Sequence, residues 1–187
     1  ANIHKPRNAS INELPSFHAQ EYVEAVRILS ENDRLTDGSQ YNFFTGGDNP
    51  IYKGMYESAL MTTGASVVAA EELIHGRADI AVNFSGGLHH AMPNKASGFC
   101  IFDDPVIAIN SLRSNNLRVA YIDIDCHHGD GVQLAFYKTD EVLTISLHES
   151  GEYLFPGTGF TSEIGEGSGK GYSVNIPFYP YTGDSTY

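Results

Sequence analysis

Residues 118–137 read RVAYIDIDCHHGDGVQLAFY, and this stretch contains the pattern that decides the fold. The apolar run over residues 118–125 predicts a β-strand, and residues 132–137 have the composition of a short helix. Glycines and charged residues fill the loop between them. A strand, a polar loop and a helix in this order form the repeating unit of a parallel α/β sheet.

The sequence on either side repeats this unit. Further strands are predicted over residues 79–85, 141–148 and 172–178, and helices over residues 17–32, 50–75 and 104–114. The last helix is expected to open with Asp104 as its N-cap and Pro105 at its first position. We therefore expect one domain over residues 1–187, with a parallel sheet covered by helices on both faces. The predicted buried positions of the first two helices are Tyr22, Val26, Leu29, Met55, Ala59, Leu60, Thr63, Val67, Ala70 and Ile74.

Composition narrows the classes of partner. The 187 residues are 41% hydrophobic, which is a globular value, and no apolar run is long enough to span a membrane. The net charge of -12 disfavours nucleic acid or an anionic membrane as a ligand and is compatible with a cationic peptide or a polyamine. Residues 1–12 do not resemble a secretory leader, and Cys100 and Cys126 form no CxxC pair, so we expect a cytoplasmic protein with reduced thiols.

Two adjacent histidine pairs follow predicted strands. Eight histidines placed at random would give about 0.3 such pairs, whereas His89-His90 and His127-His128 are both present. Each pair lies beside glycines, where backbone can approach a ligand closely. Because ligands of parallel sheets bind beyond the carboxyl ends of the strands, these two loops are the predicted site.

The second loop has the residue types of a metal site. Alternate residues of a strand share a face, so Asp123, Asp125 and, if the strand continues, His127 point in one direction. A carboxylate and an imidazole suit Zn²⁺ or Fe²⁺, and at least one further ligand is needed. Asp123 and Asp130 are then expected to accept imidazole N–H groups.

The first loop supplies acid–base groups. Hydrolysis at a metal needs a base that takes a proton from water and an acid that protonates the leaving group. His89 and His90, each supported by a carboxylate, fit these roles.

The motifs resemble a known family. The strings GGLHHAMPNKASGFC (86–100), YIDIDCHHGDGVQLAFY (121–137) and GEYLFPGTG (151–159) are similar to the zinc-dependent histone deacetylase superfamily. They are most similar to its bacterial acetoin-utilisation-type and class I members, from about Leu14 to Tyr187. The resemblance implies an arginase-like three-layer α/β/α fold and hydrolysis of acetyl-lysine-type amides or acetylated polyamines.

The resemblance also implies residue roles. Asp125 and His127 match zinc ligands, His89 and His90 match the catalytic histidines, and Asp123 and Asp130 match their carboxylate partners. Among substrate-binding residues, Gly98 and Phe99 match one tunnel wall, Phe155 matches the facing aromatic residue, and Asp48 matches a rim carboxylate. Two structural potassium sites are implied by match, one at Asp123, Asp125, His127, Ser146 and Leu147, and the other at Phe136, Thr139, Val142 and Tyr172.

The sequence departs from the family pattern in three places. Leu154 stands where many relatives have a second Phe, which predicts a looser tunnel mouth, and Met92-Pro93 replaces a frequently basic pair. The family's third zinc ligand, an Asp, and a Tyr that stabilises the transition state have no match, since Asp184 and Tyr187 lie too close to the last strand. We therefore expect a truncated domain that is inactive unless it is part of a longer chain.

Two alternatives remain open. A binuclear manganese ureohydrolase has the same fold but needs a carboxylate two residues after the metal histidine, where this chain has Gly129. A non-catalytic module that binds acyl-lysine or polyamine is the alternative outside enzymes.

Overall fold

The structure is a computed structural model that describes residues 2–31 and 37–187. The chain forms two compact units, Ala1–Asn116 and Leu117–Tyr187. Within the described ranges, no helix combines the length and the apolar character needed to cross a membrane. The prediction of a single domain over residues 1–187 stays a prediction.

The first unit is helical. It contains α1 (Gln20–Glu31), α2 (Met55–Ile74) and α3 (Asp104–Ser114), and α2 packs against both α1 and α3. The predicted stripe of α1 is buried, and so are the predicted positions of α2 except Ile74, which is partly exposed. The core of this unit consists of Ala9, Leu14, Tyr22, Val23, Val26, Leu29, Phe43, Met55, Ala59, Leu60, Val67, Ala96, Ile101, Phe102 and Ile107.

Two helices begin later than predicted. α1 begins at Gln20 rather than residue 17, because Phe17 ends a separate 3-10 turn over residues 14–16 with a φ of -140°, which is not helical. Its predicted end at residue 32 lies outside the described residues. α2 begins at Met55 rather than residue 50, because Gly54 has a φ of 86°, a left-handed conformation that a helix cannot include.

The start of α3 corrects a second prediction. Asp103, not Asp104, is the N-cap, and its side chain accepts a hydrogen bond from the Val106 N–H at 3.0 Å. Pro105 is consequently the second helical residue. The side chain of Asp104 is therefore available for other contacts.

The predicted strand over residues 79–85 is wrong. No strand pairs with this segment among the residues that the structure describes. Ile80 is 82% exposed and Phe84 is 99% exposed. β-branched and aromatic residues favour a strand only where a neighbouring strand supplies backbone hydrogen bonds and a surface to pack against.

The second unit contains the sheet. Its elements are β1 (Val119–Asp123), α4 (Asp130–Phe136), β2 (Val142–Glu149) and β3 (Ser173–Phe178), and α4 contacts β2. The strands are parallel in the order β1-β2-β3, and Ile122, Ile145 and Val174 form one row across them. The predicted strands and the short helix are thus present, with ends shifted by one or two residues.

The two faces of the sheet differ. Along β2 every second residue is buried, namely Val142, Thr144, Ser146 and His148. On the opposite side, Ile122 is 62% exposed, and Val174 and Ile176 are also exposed. Within the second unit, the buried face is therefore the one on which the alternate residues of β2 lie.

Candidate active site

The rings of the two histidines in the first loop lie against each other, with an angle of 48° between their planes. His89 and His90 are both buried, and their ring centroids are 4.0 Å apart. Just before them, Gly87 has a φ of 93°, and its carbonyl accepts a hydrogen bond from the His89 N–H at 2.9 Å. This tight turn requires glycine, and the two imidazoles that follow it are buried.

The backbone before this pair is held by a buried carboxylate. Asp104 accepts hydrogen bonds from the N–H groups of Gly87 at 3.0 Å and Leu88 at 2.9 Å. Burial raises the pKa of Asp104, while the hydroxyl of Ser66 and these N–H groups act in the opposite direction. Sequence reasoning missed this residue because it was assigned to the helix N-cap.

The predicted metal ligands meet in the second unit. β1 ends at Asp123, so the alternation expected of a strand does not extend to His127. The backbone bends over residues 125–127 instead, and this bend brings the side chains of Asp125 and His127 together. Asp125 Oδ1 accepts a hydrogen bond from the His127 N–H at 2.8 Å and lies 3.0 Å from His127 Nδ1. This is an Asx-type turn, in which a carboxylate bonds the backbone two residues later.

The side chains of Asp125 and His127 are close enough to bind one zinc ion. Zn²⁺ lies about 2.0–2.2 Å from its oxygen and nitrogen ligands, so two ligand atoms of one zinc ion are at most about 4 Å apart. The 3.0 Å between Asp125 Oδ1 and His127 Nδ1 satisfies that limit. The ligand atoms of Asp125, Cys126 and His127 all lie within 4.8 Å of one another. Partial burial and the neighbouring Asp125 raise the pKa of the Cys126 thiol, which therefore stays protonated near neutral pH.

The two predicted carboxylate partners have different surroundings. Asp123 is buried and accepts hydrogen bonds from the Tyr121 hydroxyl at 2.6 Å and from the Asp125 N–H at 3.0 Å. Asp130 is the first residue of α4, and its carboxylate accepts a hydrogen bond from the Gly131 N–H at 3.1 Å. Asp123 thus orients the backbone of a predicted ligand directly. The prediction that the two carboxylates serve His89 and His90 is not tested.

A buried polar network next to the predicted metal ligands was not expected from the sequence. His128 Nδ1 lies 2.8 Å from the Thr158 hydroxyl, and its ring centroid is 4.8 Å from that of His148. Burial lowers the pKa of both histidines, so both are neutral near pH 7. The sequence contained a signal for this network, because Thr144, Ser146 and His148 alternate with apolar residues and share the buried face of β2.

Of the predicted substrate-binding residues, Asp48, Phe99 and Phe155 are exposed and Gly98 is partly buried. Gly98 and Phe99 form the centre of a tight turn with φ values of 50° and 68°, closed by hydrogen bonds between Ser97 and Cys100, and Phe99 is 74% exposed. The ring of Phe155 lies 6.1 Å from that of His127. Asp48 is exposed in a turn closed by the hydrogen bond from the Phe44 N–H to the Asn49 carbonyl.

The residues of the two predicted potassium sites all lie in the second unit. In the first set, Asp123 is the register partner of Ser146, and Leu147 follows Ser146 in β2. In the second set, the Phe136 carbonyl accepts a hydrogen bond from the Thr139 N–H, and the Tyr172 carbonyl accepts one from the Thr144 N–H. Potassium at either set stays a prediction.

Comparison with known proteins identifies the family. A family model described as "Histone deacetylase domain" matches residues 1–187. The chain belongs to the histone deacetylase family. Histone deacetylase 1 of Homo sapiens and histone deacetylase RPD3 of Saccharomyces cerevisiae are each 44% identical to it over 186 residues, which is 99% of this chain. It spans 38% and 43% of the length of these two relatives.

Solved structures of the family support the fold. The crystal structure of an HDAC homolog from Aquifex aeolicus matches with a TM-score of 0.86 and 41% identity, over 93% of this chain and 47% of that one. An HDAC homolog complexed with SAHA matches equally well, with 42% identity over 92% of this chain and 47% of that one. The predicted α/β class with a parallel sheet and helices is confirmed. The acetoin-utilisation subgroup stays a prediction.

Proposed function

We propose that this chain forms part of a metal-dependent deacetylase that hydrolyses acetyl-lysine-type amides. The observation that carries the proposal is the approach of Asp125 Oδ1 to His127 Nδ1, 3.0 Å apart, within a histone deacetylase sequence. The zinc ligands, the acid–base residues and the substrate contacts given below all belong to the proposal.

The proposed cation is Zn²⁺, with Fe²⁺ as the alternative, held by Asp125 and His127. When bound, the ion supplies Lewis acidity towards water and towards the amide carbonyl. Asp123 fixes the direction of Asp125 through the Asp125 N–H, and the Asx-type turn fixes His127 relative to Asp125. These contacts support a ligand pair that is oriented before the ion binds.

The proposed acid–base residues are His89 and His90. One imidazole, for which we propose His90, takes a proton from the attacking water as the C–O bond forms, and a protonated imidazole then gives a proton to the lysine amine as the C–N bond breaks. Water and the amide thus yield acetate and a free amine, with no other reactant. Burial of both rings supports this role, because a low-dielectric surrounding strengthens their hydrogen bonds.

The proposed substrate is an acetylated lysine in a protein, with an acetylated polyamine as the alternative. Phe99 and Phe155 are exposed aromatic side chains suited to contact the aliphatic part of an acyl-lysine, and Asp48 is an exposed carboxylate suited to accept substrate N–H groups. The net charge of -12 favours cationic peptides over nucleic acid. Structural potassium at the two predicted sites and a cytoplasmic location complete the proposal.

The test is hydrolysis of an acetyl-lysine peptide by a protein that contains this chain, stripped of metal and then reloaded with zinc. We expect activity only after reloading. His90→Ala should lower kcat by about 10²–10⁴-fold with unchanged zinc content, and Asp125→Ala should abolish zinc binding. His75→Ala is the control, because His75 is an exposed histidine at the end of α2.

Three results would contradict the proposal. Hydrolysis that persists without any metal would remove the role of Asp125 and His127. Binding of the acetylated peptide without hydrolysis, at full zinc occupancy, would favour the non-catalytic module. A requirement for two manganese ions would favour the ureohydrolase, which the glycine at position 129 disfavours.

A further inference from the structure

The chain has two adjacent aspartates before α3, and only one of them caps the helix. Asp103 bonds the Val106 N–H, whereas the carboxylate of Asp104 turns away towards the loop that precedes His89. Asp104 is 1% exposed. A buried carboxylate costs free energy unless several donors compensate it, so its position needs an explanation that capping does not give.

The donors to Asp104 come from two parts of the first unit. Its Oδ1 accepts from the Gly87 N–H at 3.0 Å and the Leu88 N–H at 2.9 Å, and the Ser66 hydroxyl of α2 donates to its Oδ2. Asn83 Nδ2 in turn donates to the Ser66 hydroxyl at 2.8 Å and to the Thr62 carbonyl at 3.2 Å. The carboxylate is therefore fixed from α2 and α3 and itself fixes the backbone of residues 87 and 88.

The loop is also shaped to reach this carboxylate. A Cβ at position 86 would overlap the Asp104 carboxylate, the Ser66 hydroxyl and the Asn83 amide. Only glycine allows the backbone to pass so close. The close approach at Gly86 and the turn at Gly87 together bring two N–H groups onto one carboxylate, directly before the histidine pair.

We propose that Asp104 is a positioning residue for His89 and His90. Its two backbone hydrogen bonds fix the peptide planes from which the histidine pair extends, and Ser66 fixes the orientation of the carboxylate. The expected effect on catalysis rests on the proposed function. The positioning of the two imidazoles by Asp104 does not depend on it. Small displacements of reacting groups are costly, since an error of about 1 Å can lower a rate about 10²-fold.

Two substitutions separate positioning from simple burial. Asp104→Ala removes the carboxylate that accepts the two backbone hydrogen bonds, and it should lower kcat about 10–100-fold with little change in KM. Asp104→Asn should retain most of the activity, because its amide oxygen can accept both N–H groups while its NH₂ donates to the Ser66 hydroxyl. The matched control is Asp103→Ala, which removes an equally buried carboxylate and the α3 cap. It should lower the melting temperature and leave kcat unchanged.

A direct readout of the imidazoles keeps this test independent of the proposed function. The side-chain NMR signals of His89 and His90 should shift in Asp104→Ala and stay in place in Asp104→Asn and Asp103→Ala. Unshifted signals in a folded Asp104→Ala protein would overturn the inference. If Asp104→Ala does not fold, Ser66→Ala should produce a smaller shift of the same signals, and no shift in that variant would also overturn it. If no hydrolysis occurs in any variant while the NMR shifts appear, the proposed function fails and the positioning role stands.

Discussion

The histidines of this chain differ in how deeply they are buried and in the groups that they contact. His18, His128 and His148 are buried with polar partners, and burial lowers the pKa of each. His127, by contrast, is only partly buried and lies beside a carboxylate. The motif predicted His127 as a metal ligand. It did not indicate the contact between His128 and Thr158, because Thr158 lies 30 residues further along the chain.

The first prediction concerns His18 and acid stability. His18 accepts a hydrogen bond from the Asp103 N–H at Nε2 and lies 3.0 Å from the Met92 carbonyl at Nδ1, so it is held neutral. Burial lowers its pKa from 6.5 to about 4. The unfolded chain binds this proton more tightly than the folded one, so the stabilisation is complete above pH 6.5 and is lost as pH falls towards 4. The loss is at most about 3 kcal/mol.

Urea unfolding between pH 7 and pH 4 measures this effect. We expect a smaller fall in the free energy of unfolding for His18→Gln than for the unsubstituted protein, whatever its stability at pH 7. The same pH dependence in both proteins would show that His18 does not titrate in this range.

At the scale of elements, the loop between β2 and β3 is held by one carboxylate. Glu163 Oε1 accepts hydrogen bonds from the Gly159 N–H at 3.0 Å and the Phe160 N–H at 3.1 Å. Its Oε2 accepts from Gln133 Nε2 at 2.6 Å, and the Gln133 carbonyl oxygen accepts from Ser173 and Asn175. α4 and β3 thus fix the loop that carries Phe155.

The second prediction follows from these bonds. Glu163→Ala leaves three partly buried donors without their acceptor, and each should cost less than the roughly 1–3 kcal/mol of a fully buried unpaired donor. We expect faster amide hydrogen exchange over residues 150–165 and a raised KM for acetyl-lysine peptides. The control is Glu166→Ala, since Glu166 pairs with Lys138 at the surface. Equal exchange in the two variants would show that Glu163 does not hold the loop.

The third prediction concerns the contact between residues 7–9 and α2. A Cβ at Gly64 would overlap the Arg7 carbonyl and the Ala9 N–H. Alanine is intrinsically more stable than glycine in a helix by about 1 kcal/mol, yet we expect Gly64→Ala to lower the melting temperature because the backbone contact must open. Gly183→Ala, at a position with open space around it, should be neutral. A melting temperature raised by Gly64→Ala would contradict the packing.

The elements differ in how well the sequence predicted them. The buried stripe of α1 follows from its own 3.6-residue period, and the strands of the second unit follow from short apolar runs that pair with each other. The segment over residues 79–85 has the same composition but no neighbouring strand among the described residues, so propensity alone gave the wrong result. The Asp104 contact was equally hidden, because a choice between two adjacent aspartates depends on tertiary packing.

At the scale of the whole molecule, the proposed function involves residues that are distant in the sequence. His89 and His90 belong to the first unit, and Asp125 and His127 belong to the second. The family motifs predict that these four side chains serve one ion. The net charge is also a property of the whole chain. A net charge of -12 attracts cationic peptides, and the salt concentration sets the distance over which this attraction acts.

The fourth prediction tests that charge. If the acidic surface attracts the substrate, the KM for a lysine-rich acetylated peptide should rise with ionic strength between 0.05 and 0.5 M, while kcat changes little; these concentrations span Debye lengths of roughly 14 to 4 Å. A neutral acetyl-lysine peptide serves as the control. The same salt dependence for both peptides would rule out electrostatic attraction.

Locating the metal tests the account most directly. Crystals of the protein loaded with zinc should give one strong anomalous peak at the zinc absorption edge, in contact with Asp125 and His127, with the rings of His89 and His90 facing the same cavity. The double variant Asp125→Ala/His127→Ala should give no peak there. A zinc ion bound away from Asp125 and His127, or an unchanged peak in the double variant, would contradict the proposed site.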